Sequence, residues 1–403
     1  MQSFYVNSIG AMNISKKSLL FPAALVFYEI ATYLSNDMYL PSLPQISRDM
    51  QLSQDLAEQT LLFWFLGSAS MQLLMGPLSD RYGRKIILMI GGIFYVLASL
   101  TCALTPNISL FLLARFIQGS AVCSMVVAGY AAIHELYDTK QAIKIIATMG
   151  SVSILAPALG PLLGAIILIF FDWQAIFYLL AGWSFLAMLF IGAVMPETNH
   201  HKIKIDFKEI ARDFITIAKR RAFLCYALPF CLIFLSFICW IVESPFIIIE
   251  TYHKTPLEYG YIQLAIFGAF IVGTQIVHHT AEKTPTIYLI NLGMSIALTA
   301  VLLLVIASSL MPEALYLLMI LLMVFSLGAA IAFAPLNRSA IDACQEPMGR
   351  RMAIFSTYMN VFGVIATALI TLVNDKTMGN LAIVIALGTL AAFIYFQLSY
   401  RKI

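Results

Sequence analysis

The sequence predicts an all-α membrane protein with twelve transmembrane helices in two six-helix bundles and both termini in the cytoplasm. Three observations carry that expectation. The first is composition: of 403 residues 61% are hydrophobic and only 11% charged, with mean hydropathy +0.88. Soluble chains carry about 25% charged residues, and a water-soluble core could not hide this much apolar surface, so the bilayer is the expected solvent. The second is the number of apolar segments of about 20 residues, the length that crosses a bilayer as a helix. The third is the one-sided placement of the basic residues.

In the first half the spans are read at 18–40, 57–79, 86–105, 108–132, 143–170 and 174–195, and in the second half at 222–250, 257–278, 286–307, 313–336, 351–373 and 379–399. Between them the chain from Glu197 to Arg221 (ETNHHKIKIDFKEIARDFITIAKRR) is dense in charge and amphipathic. It reads as a surface-lying helix and linker. The domains are therefore 1–196, a first bundle; 197–221, a cytoplasmic linker helix; and 222–403, a second bundle, the six-plus-six plan of transporters built from two repeats. Met1 to Ser15 has no apolar core followed by a small-residue cleavage site, so no cleavable signal is expected.

Of the 24 basic residues, most fall in loops on the side of the N-terminus: Lys16 and Lys17; Arg81, Arg84 and Lys85; Lys140 and Lys144; the central linker; Lys283; Arg338, Arg350 and Arg351; Arg401 and Lys402. The opposite side has Arg48, Lys254 and Lys376. By the positive-inside rule both termini and the linker face the cytoplasm. A net charge of +3 spread between loops points to no nucleic-acid partner. The six cysteines (Cys102, Cys123, Cys225, Cys231, Cys239, Cys344) sit in apolar runs without metal-ligand spacing and read as small buried side chains.

Within the spans stand Glu29, Asp37, Arg115 and Glu243, with Asp80 and Glu135 at helix ends. A charge at a helix centre costs about 2.5–3.5 kcal/mol on insertion scales, so such residues face a bundle interior or a water-filled cavity. Glu29 and Asp37 lie eight residues apart on one helix, which places them roughly 80° apart and about 12 Å along the axis, able to line one cavity. Arg115 shares a depth range with Asp37. A buried arginine calls for a carboxylate, and Asp37 or Glu29 are the nearest by depth. A carboxyl group in a partly apolar cavity binds either a proton or a cation, which is the chemistry of proton/cation exchange; the alternative for Asp37 and Arg115 is a fixed pair bracing two helices. Glu243 precedes Ser244 and Pro245 about 30 Å along its span, near the outer mouth, where it is expected in the substrate pocket as a water-exposed acid attracting cations or relaying protons, or else as a snorkelling or helix-bracing carboxylate. Asp80 and Arg81 lie at the inner end of span two, too far from the midplane to touch a ligand there.

Four stretches carry a resemblance. GPLSDRYGRK, Gly76 to Lys85, resembles the G-x-x-x-D-R-x-G-R-[RK] signature of the major facilitator superfamily. ARFIQGSA, from Ala114, is similar to the R-F-[LI]-Q-G motif of drug/proton antiporters, and APALGPLLGA, Ala156 to Ala165, resembles their span-five motif G-P-x-x-G-[GA]. NDMYLPSLP, from Asn36, resembles the span-one motif of the twelve-span drug/proton antiporter family. Pro157 and Pro161 are expected to kink span five, while Gly160 and Gly164 permit close packing.

The resemblance covers essentially the whole chain. It implies a proton-driven exporter of chemically dissimilar drugs in the bacterial inner membrane, a monomer whose partners are small molecules and the lipid bilayer, with protons as coupling ion and no cofactor. It also implies roles: Glu29, Asp37 and Arg115 in proton and substrate coupling, Tyr33 as a pocket aromatic, and Asp80 with Arg81 and Arg84 at a conformational gate. Glu243 and His134 stand where the resemblance leads one to expect neutral glutamines. Export or uptake of one natural metabolite, such as a siderophore, is the alternative. An enzyme is not expected: the inner loops hold no metal box, nucleotide loop or nucleophile–base constellation.

Overall fold

The computed structural model describes residues 16–199, 207–346, 348–373 and 376–401. Met1 to Ser15, residues 200–206 of the linker and Lys402 therefore lie outside the described residues. Those described fold into helices joined by short turns, with no strand among them.

In a bilayer every backbone N–H and C=O must be satisfied inside its own helix. The apolar runs accordingly become long helices, and capping residues mark where they emerge. The first half holds α1 (Lys16–Asp37), α2 (Leu43–Asp49), α3 (Gln54–Tyr82), α4 (Arg84–Leu104), α5 (Ile108–Ser124) continued through a π-helical turn into α6 (Tyr130–Leu136), α7 (Thr139–Phe170) and α8 (Gln174–Val194). After α9 (Phe207–Lys219) come α10 (Arg221–Phe246) with a π-helical turn at Ile247–Thr251, α11 (Pro256–Thr280), α12 (Thr286–Leu310), α13 (Leu315–Asp342), α14 (Met348–Val373) and α15 (Met378–Tyr400). Ser53 accepts from the Leu56 N–H, Asn107 from Leu110 and Thr377 from Asn380, and Thr255 with Glu258 forms a reciprocal capping box.

Among the described residues, 10 helices are long and apolar enough to cross a membrane. An eleventh crossing, α7, is broken: its arms, Lys140–Gly150 and Leu155–Phe170, meet at 41°. Pro157 supplies the cause, since its ring clashes with the carbonyl of Ser153 four residues earlier, inside the break. The sequence leads to an expectation of twelve; α1, which carries Glu29, Asn36 and Asp37, is not among the apolar helices counted.

Within the first half, α3 packs on α5, α4 on α5 and α8, and α1 on α7 and α8. Within the second, α12 packs on α13 and α15, α11 on α13, and α10 on α13, α14 and α15. Two seams join the halves, α3 against α14 and α7 against α11. The amphipathic α9 buries Ile217 and lies on α10 and α14, where the Tyr358 hydroxyl donates to the Ala218 carbonyl at 3.1 Å.

The small residues of α7 fix how closely it meets the end of α1. A methyl at Gly160 would lie 2.6 Å from Cβ of Asp37, and one at Gly164 would collide with the Met38 carbonyl oxygen. Backbone is a neighbour that cannot rotate away. Gly164→Ala should therefore destabilise the protein by about 1–3 kcal/mol, the cost of overpacking a close helix contact. A lowered thermal unfolding midpoint in detergent is expected; an unchanged one would refute the close contact.

Candidate functional site

Glu29 lies about midway along α1 and is wholly buried. Its Oε1 accepts a hydrogen bond from the Tyr130 hydroxyl at 2.9 Å, while Oε2 has no hydrogen-bond partner among the described residues. Tyr33, one turn further along α1 and half-buried, is within electrostatic reach of the same carboxyl and of Tyr130. One acid and two phenols from α1 and α6 thus surround a single point in the apolar interior. An ionised Glu29 would need a cation or further donors at Oε2; a protonated one would present a donor there.

Arg115 is also wholly buried, on α5. It forms no ion pair with a carboxylate among the described residues, which corrects the expected pairing with Asp37 or Glu29. Its Nη1 donates to the Ser35 carbonyl at 3.1 Å and to Gln118 Oε1 at 2.6 Å, Nε to the Thr60 carbonyl at 3.4 Å, and the guanidinium stands 4.3 Å over the Tyr39 ring. The reason is local. Ser35 lies in the last turn of α1, whose carbonyls have no helical donor and carry the negative end of the dipole. Gln118 then donates to Ser99 of α4 at 2.7 Å, and the Tyr95 hydroxyl donates to the Ala31 carbonyl at 2.8 Å, so the polar chain crosses α5, α4 and α1. Asp37, 5% exposed, is close enough to feel the Arg115 charge without touching it. It sits where α1 ends against Gly160, and its charge also reaches Tyr259 of α11 across the seam.

The residues expected at a gate lie at the opposite end of the first half. Asp80 pairs with Arg84 at 2.5 Å, and Arg84 also binds Glu135 at 3.0 Å and the Ser79 hydroxyl at 2.5 Å. Arg81 takes no part in this network; it is exposed, 5.2 Å over the Tyr82 ring. The cap of α4 comes from Glu197, whose carboxylate accepts the backbone N–H groups of Arg84 at 2.8 Å and Lys85 at 3.2 Å. Gly83, at φ 112°, turns the chain into that cap, and a side chain there would strike the Glu197 carboxylate. Asn199 donates to the Asp80 carbonyl at 2.7 Å, tying the start of the linker to the same point.

Glu243 departs from its expected setting. It is wholly buried on α10, so it is not a water-exposed acid at the mouth. The following Ser244 meets Tyr259 at 3.2 Å and accepts from Gln263 at 2.9 Å. Sequence reasoning missed three residues: Tyr130, Gln118 and Glu58. Glu58 stood in plain view. Ser53 is a helix N-cap, which puts Glu58 in the second turn of α3 and inside the buried length, not on a loop.

Residues 25–368 match the sequence pattern of the Major Facilitator Superfamily. The chain is 36% identical over 281 residues to the multidrug transporter MdfA of Edwardsiella ictaluri (strain 93-146), covering 70% of this chain and 68% of that one. It is 32% identical over 351 residues to the chloramphenicol resistance protein CraA of Acinetobacter baumannii, covering 87% of this chain and 85% of the relative. Its fold is similar, with a TM-score of 0.72 at 14% identity over 97% of this chain and 96% of the other, to the crystal structure of a bacterial homolog of the human lysosomal transporter Spinster in an inward-facing, unoccupied conformation.

The charge network at the end of α3 yields two expected outcomes. Glu197→Ala leaves two amides at the start of α4 without their acceptor and should cost about 1–2 kcal/mol, the value of a lost N-cap; a chemical-denaturation midpoint equal to wild type would contradict that. Asp80→Asn removes one part-exposed partner of Arg84 and should cost under about 1 kcal/mol, since Glu135 still holds the guanidinium. Ligand binding should persist while transport falls, and equal losses of both would displace Asp80 from the gate.

Proposed function

The chain belongs to the Major Facilitator Superfamily, and from that premise we propose that it is a proton-coupled multidrug efflux antiporter. It exports diverse cationic and neutral lipophilic compounds by alternating access. Family membership makes it a multi-pass membrane transporter rather than an enzyme; the curated relatives named MdfA and CraA support drugs as the cargo.

On this reading α1 is the twelfth span, its two acids facing inward from lipid. The two sets of helices are six-helix bundles of a monomer in the bacterial inner membrane, with both termini and α9 on the cytoplasmic side. Protons are the coupling ion and no cofactor takes part. The observation that carries the proposal is Glu29: a buried acid, half-satisfied by Tyr130, with one oxygen left for a proton or a cationic ligand. A cationic drug displacing the Glu29 proton on one side of the membrane, and a proton displacing the drug on the other, would couple the two flows. Asp37 is a second exchangeable acid, held near Arg115 and at the seam with α11, so its charge depends on how the bundles lie. The seams α3–α14 and α7–α11 are the surfaces along which the bundles rock.

Two measurements test this. Expression in an efflux-deficient bacterial host should raise resistance to several structurally unrelated drugs; resistance to none would favour a single natural metabolite, such as a siderophore, as cargo. With purified protein, Glu29→Gln should weaken binding of a monocationic drug about tenfold or more, the loss of a charge-assisted partner, while a neutral drug changes by less than about twofold. Equal losses for both charge classes would remove Glu29 from cation binding.

A further inference from the structure

Side chains of three other helices donate to main-chain carbonyls of α1. Trp183 Nε1 of α8 donates to the Phe27 carbonyl at 2.9 Å, the Tyr95 hydroxyl of α4 to the Ala31 carbonyl at 2.8 Å, and Arg115 Nη1 of α5 to the Ser35 carbonyl at 3.1 Å. The acceptors recur every fourth residue, so they form one stripe that rises about 12 Å along the helix. A carbonyl oxygen has two lone pairs, and one already bound within the helix still takes a second donor.

Glu29, Tyr33 and Asp37 recur at the same spacing, two residues further on. Two residues turn a helix through about 200°, so these three form a stripe on the opposite face. The face of α1 that is gripped and the face that carries its acids therefore stand back to back. Donors that bind the main chain fix where α1 lies and how it is turned, whatever side chains it carries on the gripped face.

Rotation is the motion that matters at Glu29, whose Oε1 meets the Tyr130 hydroxyl of α6 at 2.9 Å. A turn of about 20° swings a group about 5.5 Å from the helix axis through about 2 Å, which takes donor and acceptor out of hydrogen-bond reach. Trp183 and Tyr95 grip α1 on either side of this level. Phe27 lies about 3 Å before Glu29 along the axis and Ala31 about 3 Å after it, whereas Ser35 is about 9 Å away. Both donors are also held by their rings. Trp183 lies against Phe27 at 5.2 Å between centroids, and the wholly buried Tyr95 packs edge-on to Tyr28 at 6.2 Å.

We propose that Trp183 and Tyr95 are positioning residues: through the carbonyls of Phe27 and Ala31 they set the rotation of α1 and so hold Glu29 in place against Tyr130. The hold itself is a property of the first half alone. Its consequence for cargo rests on the reading of Glu29 as the exchange site, because a carboxyl turned out of place presents Oε2 poorly to a cation.

The experiment uses purified full-length protein with 3-fluorotyrosine in place of Tyr130. The fluorine resonance reports the hydrogen bond of the adjacent hydroxyl, and Glu29→Ala marks where it falls once that bond is lost. Without any drug, Trp183→Phe combined with Tyr95→Phe should move the resonance towards the Glu29→Ala position, and in a Glu29→Ala background it should move it no further. Both replacements keep a ring and remove only the polar donor; each single variant should move the resonance part of the way and serves if the pair does not fold. An unmoved resonance overturns the proposal, and so does an equal movement in the Glu29→Ala background.

Binding supplies a readout that packing alone would not move. The paired replacement should weaken the lipophilic monocation tetraphenylphosphonium about three- to tenfold, the worth of one hydrogen bond, and neutral chloramphenicol by less than about twofold. Equal losses for both probes would reduce the two residues to packing and overturn the proposal. A moved resonance with both affinities unchanged would uphold the grip on α1 and sink Glu29 as the exchange site.

Discussion

Arg115 is a full positive charge with no water around it, and the first half is arranged to answer it. A charge buried without partners costs several kcal/mol, so the protein brings acceptors to it: the last-turn carbonyl of Ser35, the Thr60 carbonyl, Gln118 and the face of Tyr39. Each comes from a different position on α1, α3, α5 or the turn after α1. The end of α1 is thereby fixed against α3 and α5, and Gly160 and Gly164 let α7 close over it. Asp37 is placed as a consequence. It is held near the arginine yet unbonded to it, so its charge remains available to whatever else enters the seam.

Glu29 obeys the opposite rule. Arg115 meets three acceptors and a ring face, with only Nη2 lacking a hydrogen-bond partner among the described residues, whereas Glu29 has one donor on one oxygen. A structural acid would be expected to have both oxygens filled, because each unsatisfied buried group costs about 1–3 kcal/mol. An acid left half-filled in the interior is suited to exchanging ligands. The two ends of the molecule show the same division of labour. At the end near the linker, charges sit in part-exposed networks around Arg84 and Glu197. At the remote end, contacts between the halves run from the surface pair of Arg48 and Glu250 down to the buried hydrogen bond from Thr371 to Glu58.

Much of the fold was legible because the bilayer simplifies the code. Apolar runs of helical length have no alternative to helix in lipid, so the expected spans and the observed helices agree to within a few residues along most of the chain. The proline-driven break in α7 was readable from Pro157. Most charged residues of the interior were readable as a list, because each stands against an apolar background; Glu58, near the start of its helix, was not. The partners of those on the list were not. A depth argument matched Arg115 to Asp37 or Glu29, but depth ignores azimuth and the free carbonyls at a helix end, which compete for a guanidinium as well as a carboxylate does.

What the sequence by itself determined is which residues must be buried and helical, and which of those are too polar to face lipid; both follow from transfer energies that act one residue at a time. Tertiary structure decided who meets whom. Glu58 reads as a residue at the edge of a span until α10 and α14 arrive beside it, and Glu243 reads as an acid at a mouth until the seam closes over it. Contacts between elements two hundred residues or more apart depend on how the helices of the two halves pack against each other, and that is set by packing shape, which no single segment of the chain contains.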